Sequence, residues 1–398
     1  MDHLSSFQSR QQRPQHKLAK RQAPAPAVFN KLLASADIRI NGGRPWDIRV
    51  LHPGVYQRVL SRGSIGFGEA YVDGMWDCDH LDEMFTRLMT VDIDIRILKL
   101  LRLRVLAASA FNYLSHKFAN LQSLPRAFEV GERHYDIGND VYQAMLDSRM
   151  NYSCGYWREA QDLEQAQRDK LDLICRKLEL KPGEKLLDIG CGWGSMAQYA
   201  AQQYGVEVTG ITISKQQWQL AQNRCQGLPV DIKLLDYRDL SGKYDKVVSV
   251  GMFEHVGAKN YKTFFDVVRR VMNDEGLFLL HTIGDYYTSN TTDPWVNKYI
   301  FPNGQLPSAQ RVAKAAEPRL IMRDWHNFGP DYDRTLSAWW ENFEAAWPRL
   351  KIRYDERFYR MWKYYLHCCM GMFRSGQGQL WQIVFSRRGV RLDYRDVR

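Results

Sequence analysis

Three titratable side chains follow two neighbouring strands that the sequence predicts. Glu254 and His255 lie after the predicted strand 244–250, and His281 lies near the end of the predicted strand 276–282. Ligands of parallel sheets bind beyond the carboxyl ends of the strands, so we expect these side chains to face one crevice. A carboxyl group and two imidazoles placed together are candidates for acid–base chemistry. The sequence has no Ser-His-Asp order with a nucleophile elbow, which disfavours acyl-enzyme chemistry.

A glycine-rich turn follows the predicted strand 185–189 and leads into a predicted helix at 196–204. Its G-x-G-x-G spacing is formed by Gly190, Gly192 and Gly194. Glycine adopts unusual backbone dihedrals and lets a ligand approach the backbone closely. A dinucleotide site would also need an acidic residue at the end of the next strand, but residues 212–214 there are Thr, Ile and Ser. The pattern therefore favours S-adenosylmethionine, a nucleoside cofactor without a pyrophosphate, over another Rossmann-like nucleotide site.

Further segments around these strands are candidates for cofactor contacts. Residues 235–238 follow the third predicted strand, where Tyr237 and its neighbours suit an adenine ring, although an ordinary turn is the alternative. The segments 132–140 and 150–157 are dense in polar and aromatic side chains. Such a composition is typical of a lid over a cofactor rather than of a core. Within it, Cys154 is more simply a small packing residue than a nucleophile.

The order of predicted elements indicates the fold class. From residue 129 onward, strands and helices alternate, as a doubly wound sheet requires. We expect an α/β domain with a seven-stranded, mostly parallel Rossmann-like sheet and helices on both faces. The predicted strands span 185–189, 206–211, 231–235, 244–250, 276–282, 320–325 and 381–386. Predicted helices between them include 215–225 and 261–272.

The rest of the chain divides by composition. Residues 1–26 are rich in Gln, Arg and Pro, which predicts a disordered basic arm. We expect a small α+β domain at 27–113, with a helix at 27–34 and a hairpin in which 41–43 joins strands at 37–40 and 46–50. Within it, the Leu- and Arg-rich helix 92–111 is either a membrane-surface helix or a connection between domains. A linker at 114–128 and a catalytic domain at 129–398 follow, with an insertion at about 285–335.

Composition bounds the partners of the chain. The net charge of +10 over 398 residues makes an anionic partner plausible, such as an acidic membrane surface. We find no nucleic-acid-binding module and no apolar run long enough to span a membrane. The seven Cys residues lack C-x-x-C spacing, so the sequence predicts neither a disulfide framework nor a metal site and fits a reducing cytoplasm.

An aromatic stripe lies in the predicted helix beyond the insertion. Trp339, Phe343 and Trp347 are spaced at i, i+4 and i+8. Such a stripe is usually part of a core. The alternative is a slot for an alkyl chain, in which aromatic faces would stabilise a carbocation.

Four motifs in combination carry a family resemblance. They are 187–194 (LDIGCGWG), 210–214 (GITIS) with Gln217, 253–257 (FEHVG) and 133–140 (RHYDIGND). Together they resemble the bacterial cyclopropane-fatty-acyl-phospholipid synthases, in the cyclopropane/mycolic acid synthase family of S-adenosylmethionine-dependent methyltransferases. The resemblance runs from about residue 34 to 386.

The resemblance implies an activity and a site. The activity is methylene transfer from S-adenosylmethionine to the cis double bond of a phospholipid acyl chain, through a carbocation and with bound bicarbonate as the base. It implies that bicarbonate is held by the backbone at Cys154 and Ile283 and by the side chains of Glu254, His281 and Tyr332. It implies donor contacts from Tyr152, Ser153, Asp188, Gly190, Cys191, Gly192, Gly194, Thr212, Ile213, Gln217, Tyr237 and Arg238.

The resemblance also leaves alternatives and departures. A related lipid C-methyltransferase would give a methyl-branched or methylene product, and a donor-binding protein without turnover would give none. Ser195 stands where the family commonly has glycine, and Cys368-Cys369 stands where it often has one cysteine, which we assign to packing. The family further implies a homodimer, and we expect a cytoplasmic protein bound peripherally to the inner membrane.

Overall fold

The computed structural model describes residues 25–91, 138–389 and 393–398. Several predicted segments lie wholly or largely outside these ranges. They are the basic arm 1–26, the helix 92–111, the linker 114–128 and the motif 132–140.

The first described stretch contains three helices and a two-stranded ribbon. In chain order the elements are α1 (Ala27–Ser35), β1 (Arg49–Val50), α2 (Gly54–Val72), β2 (Trp76–Asp77) and α3 (Leu81–Thr90). The helix predicted at 27–34 is confirmed. We call residues 25–91 the small unit.

The predicted hairpin in the small unit is wrong. Ile40 makes only an isolated parallel bridge with Ile48, and Val50 pairs antiparallel with Trp76 on β2 instead. The amide oxygen of Asn41 accepts a hydrogen bond from the Val50 N–H. The chain therefore loops back here without forming a two-stranded hairpin.

A buried carboxylate explains this loop. Asp47 is fully buried and accepts hydrogen bonds from the backbone N–H groups of Arg39 and Arg44. The Arg44 side chain also donates to it. Gly42 packs so closely on this carboxylate that a Cβ would overlap its oxygen. Gly42 is therefore required by its contact with Asp47 and not by a hairpin turn.

The described residues from 138 onward are built on one seven-stranded sheet, and each strand lies where the sequence predicts one. The strands are β3 (Lys185–Ile189), β4 (Glu207–Thr212), β5 (Val230–Leu234), β6 (Tyr244–Val250), β7 (Met272–Asp285), β8 (Ile321–Asn327) and β9 (Gly378–Ser386). Their order in the sheet is β5-β4-β3-β6-β7-β9-β8. The five strands β5, β4, β3, β6 and β7 pair in parallel, and β9 runs antiparallel to both its neighbours, β7 and β8. The order in which the chain adds strands reverses between β3 and β6, because β4 and β5 lie on one side of β3 and β6 and β7 lie on the other. Such sheets bind ligands at this point.

Nine helices of the described chain accompany the sheet. They are α4 (Asn139–Met145), α5 (Leu163–Lys177), α6 (Ser195–Tyr204), α7 (Lys215–Arg224), α8 (Tyr261–Val271), α9 (Pro294–Tyr299), α10 (Ala309–Ala316), α11 (Pro330–Leu350) and α12 (Glu356–Arg374). Among these residues no helix is both long and apolar enough to span a membrane.

Alternating strand residues place helices on both faces of the sheet. Leu187 and Val247 point into a core shared with Phe264 of α8. Their neighbours Leu186 and Val248 point into a second core, shared with α5 and α6. This period of two is the pattern of a strand buried on both sides. The predicted α/β fold class is confirmed.

The small unit packs against the rest of the described chain through α12. Gly371 of α12 lies so close to Phe85 of α3 that a Cβ would come within 2.5 Å of the Phe85 side chain. Beside it, the Tyr364 ring lies 5.1 Å from Phe85 and 5.6 Å from Tyr71 of α2. Trp295 of α9 packs on Tyr364 at 4.4 Å. The small unit, α9 and α12 therefore share one core.

The predicted insertion at 285–335 contains more regular structure than its loop-rich sequence indicated. It includes α9, α10 and strand β8. Ser308 caps α10, and Asp293 caps α9 with Pro294 in its first turn. The irregular stretches between these elements run past the carboxyl ends of the parallel strands.

Candidate active site

A cavity of about 620 Å³ lies at the carboxyl ends of the parallel strands. Fifteen of the seventeen residues that the sequence analysis assigns to the site line it. They are Tyr152, Ser153, Asp188, Gly190, Cys191, Gly192, Thr212, Ile213, Gln217, Tyr237, Arg238, Glu254, His281, Ile283 and Tyr332. Cys154 and Gly194 are not part of the lining.

The three glycines of the turn after β3 have different tasks. All have positive φ angles, 85° at Gly190, 54° at Gly192 and 82° at Gly194, which favour glycine. A Cβ on Gly192 would meet nothing within 4 Å, so this residue leaves the cavity wall open. A Cβ on Gly194 would lie 3.0 Å from that of Ala221. Gly194 therefore supports the packing of α6 against α7, behind the cavity.

The ends of β4 and β5 form one side of the cavity. Thr212 Oγ1 donates to the side chain of Gln217 at 2.9 Å. The guanidinium of Arg238 binds Asp236 through Nε at 2.7 Å and through a terminal nitrogen at 2.8 Å. The buried phenol oxygen of Tyr237 has no hydrogen-bond partner in the described chain. This side therefore offers an aromatic ring with a polar tip to a ligand.

Glu254 lies one turn beyond β6 and is buried against the end of β7. Its Oε1 accepts a hydrogen bond from the Ile283 N–H at 2.7 Å. Its Oε2 is buried and has no partner among the described residues. Burial raises the pKa of Glu254 to about 7. The side chain can therefore exchange a proton near neutral pH.

His281 faces the same cavity as a neutral imidazole. Burial, aided by the positive charges of Lys170 and Lys177, lowers its pKa well below 6.5. Nδ1 lies 3.3 Å from the side-chain nitrogen of Gln382, its pairing partner on β9. An amide nitrogen can only donate, so Nδ1 accepts and the ring proton is on Nε2. Nε2 is buried and has no partner in the part of the chain that the structure describes.

Tyr332 and the aromatic stripe form the wall beyond this pair. Burial raises the pKa of Tyr332, so its phenol stays protonated. Its ring stacks on Phe373 at 4.5 Å and meets Trp339 edge-on at 6.0 Å. Trp339 and Phe343 are fully buried, and none of the three stripe residues lines the cavity. The core interpretation of the stripe is confirmed, and the slot interpretation is wrong.

Cys154 lies behind the wall instead of in it. Its buried Sγ is 3.8 Å from Thr335 Oγ1, and burial raises its pKa well above 9. A nucleophilic role for this thiol therefore has no support. Ser153 and Tyr152, by contrast, reach the cavity, and Tyr152 shares a 2.7 Å hydrogen bond with the hydroxyl of Tyr365.

The cavity has an apolar end that the sequence analysis did not predict. It is bounded by side chains of α9, α12 and the small unit. They include Met89, Val296, Phe301, Tyr365, Cys368, Cys369, Met372, Phe373 and Leu380. The Cys pair assigned to packing thus lies in a wall with room for a long apolar ligand.

Lys170 is the other residue that the sequence analysis missed. It is only 1% exposed, lines the cavity and lies on α5 between the buried Gln167 and Leu171. A lysine within the apolar face of an amphipathic helix is rare, because burying a charge is costly. That position was the available signal.

Comparison with known proteins decides the family. The mycolic acid cyclopropane synthetase family matches residues 122–383. The chain belongs to this family. It is 53% identical over 362 residues to the cyclopropane-fatty-acyl-phospholipid synthase of Escherichia coli strain K12, which covers 90% of this chain and 93% of that protein.

Two further family members place the chain in a structural class. The tuberculostearic acid methyltransferase UfaA1 of Mycobacterium tuberculosis is 32% identical over 365 residues, covering 84% of this chain and 81% of that protein. The mycolic acid cyclopropane synthase CmaA1, solved with SAH and CTAB, matches with a TM-score of 0.61 and 31% identity. That match covers 65% of this chain and 98% of the CmaA1 chain. The protein described here is thus an S-adenosylmethionine-dependent methyltransferase.

Proposed function

We propose that the protein converts cis-unsaturated acyl chains of membrane phospholipids to cyclopropane chains, with S-adenosylmethionine as the source of the methylene carbon. The observation that carries the proposal is the position of Glu254 and His281. Each presents a buried polar atom, without a partner in the part of the chain that is described, to a cavity that joins a nucleoside-type crevice to an apolar end. The identity to the Escherichia coli synthase supports the same activity.

The crevice side fits the donor. Gly192 leaves space for a ligand against the backbone, and the buried Asp188 Oδ2 and Tyr237 hydroxyl have no partner in the described ranges. These groups suit the amino group and the adenosine of the donor. When bound, the donor supplies a methyl group made electrophilic by its sulfonium. The protein holds that group beside the double bond, and the alignment accelerates attack by a weak nucleophile.

The residues at the end of β6 and β7 fit bicarbonate. Glu254 Oε2 can accept a hydrogen bond, His281 Nε2 can donate one, and Tyr332 adds a protonated phenol. Bicarbonate supplies a base that is anionic at neutral pH. The Ile283 N–H already binds Glu254, and Cys154 does not line the cavity. We therefore assign the anion to the three side chains first.

The apolar end suits both the acyl chain and a positive charge on it. Attack of the double bond on the donor methyl group breaks the sulfur–methyl bond, releases neutral S-adenosylhomocysteine and leaves a cation on the former alkene carbon. Transfer of one methyl proton to bicarbonate then closes the ring. Aromatic rings of Tyr152, Phe301 and Tyr365 surround this end and stabilise a cation through their faces. The same apolar wall excludes water, which would otherwise capture the cation.

The test is a labelled turnover. The protein is incubated with vesicles of cis-monounsaturated phospholipid and donor carrying a trideuterated methyl group, and the released fatty acids are analysed by mass spectrometry and NMR. We expect a ring with two deuterium atoms. An exocyclic methylene group with two deuterium atoms, or a methyl-branched alkene with three, would assign the protein to lipid C-methylation, which the match to UfaA1 makes the alternative. A bound donor without any lipid product would refute both.

Glu254→Gln tests the assigned base site. We expect the variant to bind the donor normally and to lose about 10²–10⁴-fold in turnover, the usual range for acid–base groups. Removing dissolved bicarbonate should slow the parent protein, and adding it back should restore the rate. Glu341→Gln, at an exposed position on α11, is the control. Unchanged turnover in the Glu254 variant would overturn the assignment.

We also propose peripheral binding to the cytoplasmic face of the inner membrane. Tyr286 and Tyr287 are 59% and 52% exposed, and Tyr287 lines the cavity, so these rings suit a membrane interface at its mouth. The net charge of +10 predicts stronger binding to anionic than to neutral vesicles at low salt. Replacing both rings with serine should weaken vesicle sedimentation, whereas Ile352→Ser, at a site 84% exposed, should not. Equal binding to neutral and anionic vesicles would reject the electrostatic part.

We propose a homodimer as the assembly, following the family. Light scattering of the purified protein at micromolar concentration should give twice the mass of the chain. A monomer mass across that range would reject this proposal.

A further inference from the structure

Lys170 presents a buried ammonium group to the cavity. Its Nζ donates to Ser153 Oγ at 3.0 Å and to Asn151 Oδ1 at 3.2 Å. Asn151 is held in turn by Asp147, whose two carboxylate oxygens accept from the Asn151 backbone and side chain at 2.7 Å each. An ammonium removed from water is costly unless it is matched by a partner of opposite charge. Both direct partners of Lys170 are neutral.

A buried carboxyl group lies in the same wall. Asp188, at the end of β3, is 1% exposed, and its Oδ2 has no partner within the described chain. Burial lowers the pKa of Lys170 to about 8, and the charges of Asp147 and, more weakly, Asp188 act to raise it. The described residues contain no ion pair between the two groups within 4 Å. The cavity thus carries one cationic and one acidic group that are close but not bonded to each other.

This arrangement matches the end of the donor molecule. The methionine end of S-adenosylmethionine is a zwitterion, with an ammonium and a carboxylate on one carbon. We propose that Lys170, together with the Ser153 hydroxyl that it holds, binds the donor carboxylate, while Asp188 accepts from the donor ammonium. The inference rests on the donor assigned above and is independent of which lipid product forms.

A structural role is the competing explanation. Lys170 also ties the segment 151–153 to α5, and Gln167 on the same helix donates to the Ser153 carbonyl at 2.7 Å. If Lys170 only holds this segment in place, its loss would lower the affinity for every adenosine ligand equally. If it binds the carboxylate, its loss would weaken only ligands that carry one.

The experiment uses two ligands that differ in that group. Calorimetry measures Kd for S-adenosylmethionine and for its decarboxylated form, in which the carboxylate is replaced by hydrogen. The parent protein should prefer the intact donor by about 10- to 100-fold, the range for a hydrogen-bonded charge. In Lys170→Met this preference should fall to about threefold or less, because the affinity for the intact donor drops while the affinity for the decarboxylated ligand changes little. No lipid is present, so failure of the proposed lipid reaction would leave this result intact.

Lys177→Met is the matched control. Lys177 is fully buried on the same helix and contacts His326 Nδ1 at 3.0 Å, but it does not line the cavity. Its replacement removes an equally buried charge and should keep the full preference for the intact donor. Thermal melts without ligand check that both variants fold. Lys170→Gln, which keeps a donor for Ser153 without the charge, serves as a second variant and should also lose the preference.

Two outcomes would overturn the proposal. One is an equal loss of affinity for both ligands in the Lys170 variants, which would assign the lysine to support of the segment 151–153. The other is an unchanged preference, which would place the donor carboxylate elsewhere in the cavity.

Discussion

Replacing Gly68 with alanine tests how the small unit controls the cavity. Gly68 lies in α2, directly against the fully buried ring of Trp295 in α9. A Cβ at this position would lie 2.4 Å from Cδ1 and 2.5 Å from Nε1 of Trp295. The indole cannot retreat easily, because it packs on Tyr364 at 4.4 Å and on Tyr299 at 5.3 Å. The variant must therefore displace α9 or α2.

Two opposing effects set the magnitude. Overpacking a core costs about 1–3 kcal/mol, and an overlap of more than 0.5 Å with a rigid ring belongs near the upper end. Replacing glycine with alanine within a helix stabilises the folded state by about 1 kcal/mol. We expect a net loss of about 2 kcal/mol in the free energy of unfolding. With about 2.1 cal/mol/K of unfolding entropy per residue over 398 residues, Tm should fall by about 2 °C.

The assay is scanning calorimetry with a double-mutant cycle. In a Trp295→Phe background the smaller ring leaves space for the new methyl group, so Gly68→Ala should become neutral or stabilising. The coupling between the two sites should then be about 2 kcal/mol. Gly43→Ala, where a Cβ meets nothing within 4 Å, is the control and should change stability by less than about 0.5 kcal/mol.

Activity gives a second measure of the same change. The chain beyond α9 contributes Phe301 and Gln305 to the cavity wall. Displacing α9 should therefore raise KM for the lipid while leaving Kd for the donor unchanged. A higher Tm in Gly68→Ala, or the same cost with Trp295 and with Phe at that site, would refute this reasoning.

Three other predictions concern buried polar groups. The pKa of Glu254 is about 7 in the folded protein and 4.5 ordinarily, so its contribution to stability is present below pH 4.5 and is lost as pH rises through 7. The free energy of unfolding of Glu254→Gln, measured relative to the parent, should therefore be higher at pH 8 than at pH 5 by about 3 kcal/mol. The same relative value at both pH values would contradict the buried carboxyl. In Gln382→Glu the carboxylate should accept a hydrogen bond from His281 Nδ1–H, so the ¹⁵N spectrum of that ring should show Nδ1 protonated, whereas a parent-like spectrum would reject the tautomer assigned here. Replacing Asp47 with alanine should cost about 2–4 kcal/mol by denaturant unfolding, because it leaves the Arg44 and Arg39 N–H groups without their acceptor; a loss below about 1 kcal/mol would show that water replaces it.

The sequence predicts the sheet well because its signals are local. Strand β6 is found with its predicted bounds, since the β-branched residues Val247, Val248 and Val250 favour an extended strand. The glycines at 190–194 give the ligand turn for the same kind of reason, because only a turn with positive φ needs them so closely spaced. The residues after each strand could then be brought to one cavity by the rule for parallel sheets.

Features that depend on distant contacts could not be read in this way. Gly42 has the sequence of a hairpin turn, yet its neighbour in space is the carboxylate of Asp47. Lys170 interacts with Ser153, 17 positions away, and its place in the apolar helix face indicates burial without showing that it lines the cavity. The apolar end of the cavity joins Met89 to residues of α12 almost 300 positions later. The pairing of the small unit with α12 creates that wall.

The close contact between Gly371 and Phe85 constrains how this two-part chain can change during evolution. A glycine is needed at position 371 only while α3 lies against α12. The Tyr364 ring is buried only while α2 and α3 cover it. A deletion of the small unit would uncover that ring and open the cavity at Met89 in a single event. Several substitutions on α12 would have to precede such a loss for the shortened protein to stay folded. The small unit is in this sense entrenched, since its removal would expose the α12 side chains that now pack on it.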